Sequence, residues 1–136
     1  MEREKIVIDA SIAVKLFVEE IDTSKAEALI EHHINGDLLI IVPELIFLEV
    51  ANALRYNKKV NDALSRAVER LFQMQFRVER MNEFIVKKAV EIALHYNITV
   101  YDAVYAAIAQ LYGISFITAD KQLEIIPNVI LVEKIK

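Results

Sequence analysis

The chain has 136 residues, 55% of them apolar and 26% charged, and it contains no cysteine. This length predicts one domain, residues 1–136, and the lack of cysteine excludes a disulfide framework, a thiolate nucleophile and a cysteine-ligated zinc site. The net charge of −4 disappears when four acids, Asp9, Glu49, Asp102 and Asp120, are set aside, so the acidity does not exclude a nucleic-acid substrate if metal ions neutralise those four.

The start of the chain and its apolar runs bear on location. Residues Met1–Lys5 are charged and lead straight into a strand, which is unlike a signal peptide. The longest apolar run, residues 38–48, is interrupted by Pro43 and Glu44 and is too short to cross a membrane. We therefore expect a cytoplasmic protein with no membrane segment.

Strands and helices alternate along the sequence. The first part of the chain is predicted to form a strand at 5–8, helices at 11–19 and 22–36, a strand at 38–42 and a helix starting at Pro43. Helices follow at 60–76 and 82–96, with a short strand at 77–79 between them. The last part is predicted to form a helix capped by Thr99 and ending at Gly113, a strand at 115–118, a short helix from Asp120 and a strand at 129–132. Because the strands are almost wholly apolar, we expect a parallel sheet covered by helices on both faces.

The four acids set aside above stand at the ends of these elements. Asp9 and Asp120 each follow an apolar strand, Asp102 opens an apolar helix, and Glu49 lies inside one. Carboxylates in apolar surroundings cost free energy unless something compensates them. Ligands of open parallel sheets bind outside the carboxyl ends of the strands, where Asp9 and Asp120 belong. If all four meet there, their hard oxygen atoms suit Mg²⁺ or Mn²⁺ better than zinc.

Each acid also has a simpler interpretation. Asp9 and Asp120 can be N-caps, and the segment from Thr99 to Asp102 resembles a capping box with Asp in the last position. Glu49 has no basic residue within a helical turn to neutralise it. Four coincidences at one edge are less plausible than one shared site, so the sequence favours a metal site.

Other side chains give weaker indications. The two glycines cannot form a phosphate-binding loop. Ser11 is interpreted as a helix cap or a hydroxyl supporting the site, and Tyr101 and Tyr105 as packing residues. The three histidines are interpreted as surface residues; they are His32, His33 and His95. Residues 55–70 carry a surplus of three bases, which predicts either a solvated helical face or a contact with phosphate.

Four motifs in this order resemble the PIN-domain nucleases, and most closely the VapC-type toxins of prokaryotic toxin–antitoxin pairs. The motifs are Asp9-Ala10-Ser11, Glu49-Val50-Ala51-Asn52-Ala53-Leu54, Tyr101-Asp102-Ala103-Val104-Tyr105 and Thr118-Ala119-Asp120. The resemblance implies one PIN domain over residues 1–136, folded as a three-layer α/β/α sandwich with a central parallel sheet. It further implies Mg²⁺- or Mn²⁺-dependent endoribonuclease activity, inhibition by a small antitoxin protein, and dimerisation through helices.

The resemblance also assigns residues. Asp9, Glu49, Asp102 and Asp120 match the acidic, metal-binding site of the family, and supporting polar positions fall on Ser11, Asn52 and Thr118. Some relatives have a fifth acid; Glu124 is near the expected place but is not assigned. In this interpretation Asp9 is the central metal ligand, flanked by Asp102 and Asp120. Glu49 completes the ligand set or orients the attacking water.

Two other classes of function remain open. A PIN-like fold without catalysis could serve as an RNA-binding or assembly module. A phospho-receiver-type signalling domain also gathers acids at strand ends, but it needs adjacent acids at the first strand and a basic residue after the last, and neither is present.

The apolar content, with a mean hydropathy of +0.32, and apolar side chains on the helices of residues 22–76 favour a homodimer. Those side chains include Phe47, Leu54, Leu64, Leu71, Phe72 and Phe76.

Overall fold

The centre of the molecule is a five-stranded parallel sheet, seen in a computed structural model that describes residues 3–136. The strand order is β3-β2-β1-β4-β5, and all four pairings are parallel. The strands are β1 Glu4–Ile8, β2 Leu38–Pro43, β3 Arg77–Glu79, β4 Ser115–Thr118 and β5 Val129–Leu131. The prediction of a parallel sheet is confirmed; the first two residues of the charged N-terminal segment lie outside the described range.

Within the described residues, six α-helices and three 3₁₀ helices lie between the strands, and a fourth 3₁₀ helix follows β5. The α-helices are α1 Ala10–Ala13, α2 Thr23–Asn35, α3 Leu45–Arg55, α4 Leu64–Gln73, α5 Glu83–Tyr96 and α6 Val100–Tyr112. The 3₁₀ helices are Val14–Leu16, Asn61–Ala63, Lys121–Ile125 and Val132–Lys134. None of the helices within residues 3–136 has both the length and the apolar character needed to span a bilayer.

The direction of the crossovers explains the three layers. The chain moves from β1 to β2 to β3 in one direction across the sheet and then returns past β1 to β4. Because parallel crossovers are right-handed, the two directions place their helices on opposite faces. Helix α3 packs against α4, whereas α5 packs against α6 and α6 lies on β1, β2 and β4. The predicted α/β/α sandwich is therefore confirmed.

The strand β1 lies at the centre of the buried core. Val7 pairs in register with Ile41 on one side and Phe116 on the other, and all three side chains are fully buried. Helix α6 covers this region with a buried run from Ala103 to Ala109 that is rich in alanine. Small side chains allow a helix to approach the sheet closely, which brings the first turn of α6 toward the ends of β1 and β4.

Three local predictions are wrong. Pro43 does not start a helix: it is the last residue of β2, paired in register with Glu79 of β3, and α3 begins at Leu45. The first helix does not reach residue 19, because the chain tightens to 3₁₀ form after Ala13 and ends at Leu16. His33 is buried rather than exposed: its Nδ1 accepts a hydrogen bond from the backbone N–H of Ile40, and its Nε2 lies 2.9 Å from the Met74 carbonyl oxygen.

Candidate active site

The site lies at the carboxyl ends of β1 and β4, the point where the strand order reverses. β1 connects onward to β2 on one side, while its neighbour on the other side is β4. Such a switch point opens a crevice in which parallel α/β proteins bind ligands. The register pairs Ile8 with Ile117, so the next residues along the two strands, Asp9 and Thr118, lie side by side.

Asp9 is held by two hydroxyl groups from separate parts of the chain. Its Oδ1 accepts hydrogen bonds from the Ser11 hydroxyl at 2.5 Å and the Ser11 backbone N–H at 3.1 Å, and its Oδ2 accepts one from the Thr118 hydroxyl at 2.6 Å. The residue is only 7% exposed. Asp9 is thus the N-cap of α1, as one interpretation predicted, and also a rigidly held carboxylate in the crevice.

The two hydroxyls are themselves oriented by the backbone of the β4 end. Ser11 Oγ accepts a hydrogen bond from the Ala119 N–H at 3.0 Å, and Thr118 Oγ1 accepts one from the Asp120 N–H at 3.1 Å. Each hydroxyl therefore has its proton free to donate to Asp9. The supporting positions predicted at Ser11 and Thr118 do lie against the acidic residue.

Asp120 follows β4 and caps the short 3₁₀ helix after it. Its Oδ1 accepts a hydrogen bond from the Gln122 backbone N–H at 3.0 Å. This bond fixes the direction of the side chain, and Oδ2 is left for another partner. As with Asp9, capping and membership of the site are compatible.

Asp102 lies in the first turn of α6, which Thr99 caps. The Thr99 hydroxyl accepts a hydrogen bond from the Asp102 backbone N–H at 3.1 Å, and the helix ends at Gly113 in the left-handed conformation with φ of 67°. The capped first turn thus holds the Asp102 carboxylate close enough to the other three acids for their charges to interact.

Glu49 finds a partner that the sequence did not reveal. The Tyr105 hydroxyl, on α6, donates a hydrogen bond to Glu49 Oε1, on α3, with an O–O distance of 2.5 Å. Tyr105 is 1% exposed, so the predicted packing role is correct but incomplete. The one signal in the sequence is its spacing: Tyr105 is three residues after Asp102 and shares its helix face.

The electrostatics link all four acids. Burial raises the pKa of Asp9 to about 6, and the nearby charge of Asp102 adds to the increase. Burial and Asp102 also raise the pKa of Glu49, while burial and Asp120 raise the pKa of Asp102. Asp102 therefore interacts with each of the other three carboxylates, and protonation or a cation would relieve their mutual repulsion.

The chemistry of this donor set fits a hard divalent cation. Carboxylate oxygens are the preferred ligands of Mg²⁺ and Mn²⁺, and carboxylates with raised pKa values are stabilised by a positive charge. As the side chains stand, however, no group of three or more His, Asp or Glu within residues 3–136 is arranged to hold a metal ion. The acids are close enough to interact electrostatically but do not form a closed cage.

Other candidate residues lie outside this arrangement. Asn52 is exposed on α3 and is not part of the hydrogen-bond network around Asp9. Glu124, the unassigned fifth acid, is paired with Lys134. Tyr101 is 65% exposed beside Asp102, unlike the buried Tyr105.

Comparison with known proteins places the chain in a family. The protein named Ribonuclease VapC3 of Pyrobaculum aerophilum is 32% identical over 125 residues, which span 88% of this chain and 92% of that protein. A crystal structure of a Pyrobaculum aerophilum protein superposes with a TM-score of 0.71 at 24% identity, over 97% of this chain and 93% of the other. A toxin–antitoxin complex from Klebsiella pneumoniae gives 0.72 at 21% identity, over 96% and 99%. The PIN domain model matches residues 6–129, so the chain belongs to the PIN-domain family and groups with its VapC-type ribonucleases.

Proposed function

We propose that this protein, with residues 1–136 as one PIN domain, is a Mg²⁺- or Mn²⁺-dependent endoribonuclease and the toxin of a toxin–antitoxin pair. The observation that carries the proposal is that the hydroxyls of Ser11 and Thr118 both donate hydrogen bonds to a buried Asp9 at the switch point. Three further carboxylates interact with it electrostatically, directly or through Asp102. Holding four carboxylates close together in partly apolar surroundings costs free energy unless a cation or a proton compensates their charge.

Asp9, Asp102 and Asp120 are the residues proposed to hold the metal, with Glu49 completing the set or orienting water. When bound, a divalent cation supplies charge neutralisation and an acidified water at a phosphodiester. Ser11 and Thr118 keep Asp9 fixed by bonds that favour its ionised form. Tyr105 occupies Oε1 of Glu49, which leaves Oε2 for the metal or for the water that attacks phosphorus. In the hydrolysis, the water oxygen forms a new bond to phosphorus, the bond between phosphorus and one bridging oxygen breaks, and a proton from the water passes to the leaving oxygen.

A basic hollow offers a route for the RNA strand. Lys59, Arg66 and Arg70 line a cavity of about 250 Å³, and none of the three forms an ion pair with an acid in the described part of the chain. Leu16 and Phe17, which form its wall, end the helical segment that starts just after Asp9. We therefore favour the phosphate-contact interpretation of the basic stretch over that of a merely solvated face.

Two protein partners belong to the proposal. The structure from Klebsiella pneumoniae is a toxin–antitoxin complex, and its likeness to this fold supports an antitoxin partner. We propose that this partner is a small protein that covers the acidic edge with a basic or amide side chain, because such a side chain can donate hydrogen bonds to the carboxylates. The exposed apolar side chains on α3 and α4, such as Leu48 and Phe72, support a homodimer. Cytoplasmic RNA as the substrate agrees with the predicted location.

The rival with a specific observation in its favour is a PIN-like RNA-binding module without catalysis, because the carboxylates as placed form no closed metal cage. The phospho-receiver alternative has no such support. Incubating the purified protein with total RNA in Mn²⁺, and in parallel with EDTA, distinguishes the nuclease from the RNA-binding module without catalysis. The nuclease proposal predicts cleavage in Mn²⁺ only, whereas RNA binding without cleavage in either condition would favour the silent module.

A further inference from the structure

We propose that Tyr105 is a positioning residue for Glu49. Its hydroxyl fixes Oε1 of the carboxylate and so sets where Oε2 can reach in the acidic site. This inference rests on the proposed function, because it gives Tyr105 a role in the metal site of the nuclease.

The geometry of the tyrosine leaves its hydroxyl little freedom. The ring lies nearly parallel to that of Phe116, with centroids 5.9 Å apart and planes inclined by 16°, and the residue is 1% exposed. A ring held in this way cannot swing its hydroxyl to a different partner without disturbing the core. The Tyr105 hydroxyl therefore stands at a fixed point of the fold, where it donates to Glu49 Oε1.

The choice of a hydroxyl as partner is chemically informative. Glu49 is half-buried in an apolar helix, and a lysine or arginine beside it would neutralise the carboxylate. Tyr105 instead compensates burial by a hydrogen bond and leaves the negative charge in place. A carboxylate that is oriented but not neutralised remains available to a cation, and outer hydrogen bonds of this kind commonly orient metal ligands.

Tyr105 also connects the two site residues that come from helices. It lies three positions after Asp102 on α6, and its hydroxyl reaches Glu49 on α3, 56 positions away in the chain. One helix turn therefore presents Asp102 directly and places Glu49 through the tyrosine. The relative position of the two carboxylates is set by this bond.

The test compares Tyr105→Phe with a matched control on the same helix. Tyr112→Phe removes an equivalent hydroxyl, which donates to Glu79 at the end of the edge strand β3. Mn²⁺ affinity is measured by calorimetry, and the Mn²⁺ concentration that gives half-maximal RNA cleavage is measured in parallel. In Tyr105→Phe we expect the Mn²⁺ affinity to fall about 10–100-fold and the Mn²⁺ concentration for half-maximal cleavage to rise by the same factor. The KM for RNA at saturating Mn²⁺ should be unchanged, and neither Mn²⁺ quantity should change in Tyr112→Phe. Phenylalanine keeps the ring but removes the hydrogen bond that compensates the burial of Glu49, so we expect an intact fold with a lower melting temperature without metal.

A second pair of variants tests whether Tyr105 acts through Glu49. Glu49→Gln should weaken Mn²⁺ binding, and adding Tyr105→Phe to it should cause no further loss. Wild-type Mn²⁺ affinity in Tyr105→Phe, or a full additional loss in the Glu49→Gln background, would overturn the inference. Wild-type protein that binds Mn²⁺ but cleaves no RNA would instead refute the proposed nuclease function, and the affinities alone would then decide the role of Tyr105.

Discussion

Single residues in this site do two things at once. Asp9 and Asp120 cap the helical segments that follow them, and both also present carboxylates to the crevice. Capping and metal binding were alternatives in the sequence, yet a cap uses only one carboxylate oxygen. Asp120 has Oδ2 left over, whereas Oδ2 of Asp9 already accepts a hydrogen bond from Thr118 and keeps a further lone pair. The hydrogen bond of Tyr105 was not predicted because its partner, Glu49, is 56 positions away in the chain. The spacing from Asp102 shows that the two residues share a helix face, but it does not distinguish hydrogen bonding from packing.

The raised pKa of Asp9 predicts how metal-free stability depends on pH. The folded state favours the protonated form up to about pH 6, whereas the unfolded chain ionises near 3.8. The contribution of Asp9 is therefore fully present below about pH 4 and is lost as pH rises to about 6, by on the order of 3 kcal/mol at most. Urea unfolding in EDTA should show Asp9→Asn gaining stability relative to wild type across this range. A difference between the two proteins that is independent of pH would contradict the shift.

At the scale of elements, the sequence predicted most boundaries where caps are explicit. Thr99 and Gly113 bound α6 as expected, because a hydroxyl N-cap and a left-handed glycine are local signals. The first helix was overestimated, because its end depends on side-chain contacts with the residues that follow it, and helical periodicity does not show these contacts. Lys15, buried in the 3₁₀ turn, donates to the Ile21 carbonyl oxygen at 2.8 Å and pairs with Glu20. These contacts stabilise the chain as it turns away from the helical path.

The basic hollow beside α4 predicts a specific change in RNA binding. The double variant Arg66→Gln, Arg70→Gln should bind RNA more weakly. The slope of log affinity against log salt should decrease in magnitude by about 1.4, because each phosphate contact to a single strand contributes about 0.7 and two contacts are lost. Binding is measured in an Asp9→Asn background so that the RNA stays intact. Lys87→Gln with Lys88→Gln makes the same charge change at lysines paired with Glu83 and Glu91, and it should affect the slope less. Equal slopes for the two double variants would remove the hollow from the RNA path.

At the scale of the whole molecule, the surface supports self-association only in part. Of the apolar side chains that suggested a dimer, Leu54, Leu71 and Phe76 belong to the core. Phe72 is 57% exposed and stacks on Phe47 with ring centroids 4.0 Å apart. The sequence could not separate these groups, because amphipathic patterns show which residues are apolar but not which helix face meets another helix of the same chain.

The exposed part of α3 predicts a homodimer that one charge can disrupt. Leu48 is 73% exposed, and Leu48→Glu should convert a dimer to a monomer, because an unpaired carboxylate is costly at the centre of an apolar interface. Leu94→Glu on α5, where the leucine is 80% exposed, is the control and should stay dimeric. Light scattering across micromolar concentrations measures both masses. A monomeric wild-type protein would refute the dimer.

The central claim is that the carboxylates at the switch point form one metal site for RNA cleavage, and cleavage by Asp9→Asn tests it most directly. Asn keeps the shape of the side chain and an oxygen to cap α1 but removes the charge. We predict that the rate on a defined RNA in Mn²⁺ falls at least about 100-fold, as large as the loss of an outer partner of a metal ligand, while circular dichroism shows an intact fold. Cleavage by Asp9→Asn at the wild-type rate, or wild-type cleavage that continues unchanged in EDTA, would contradict the account.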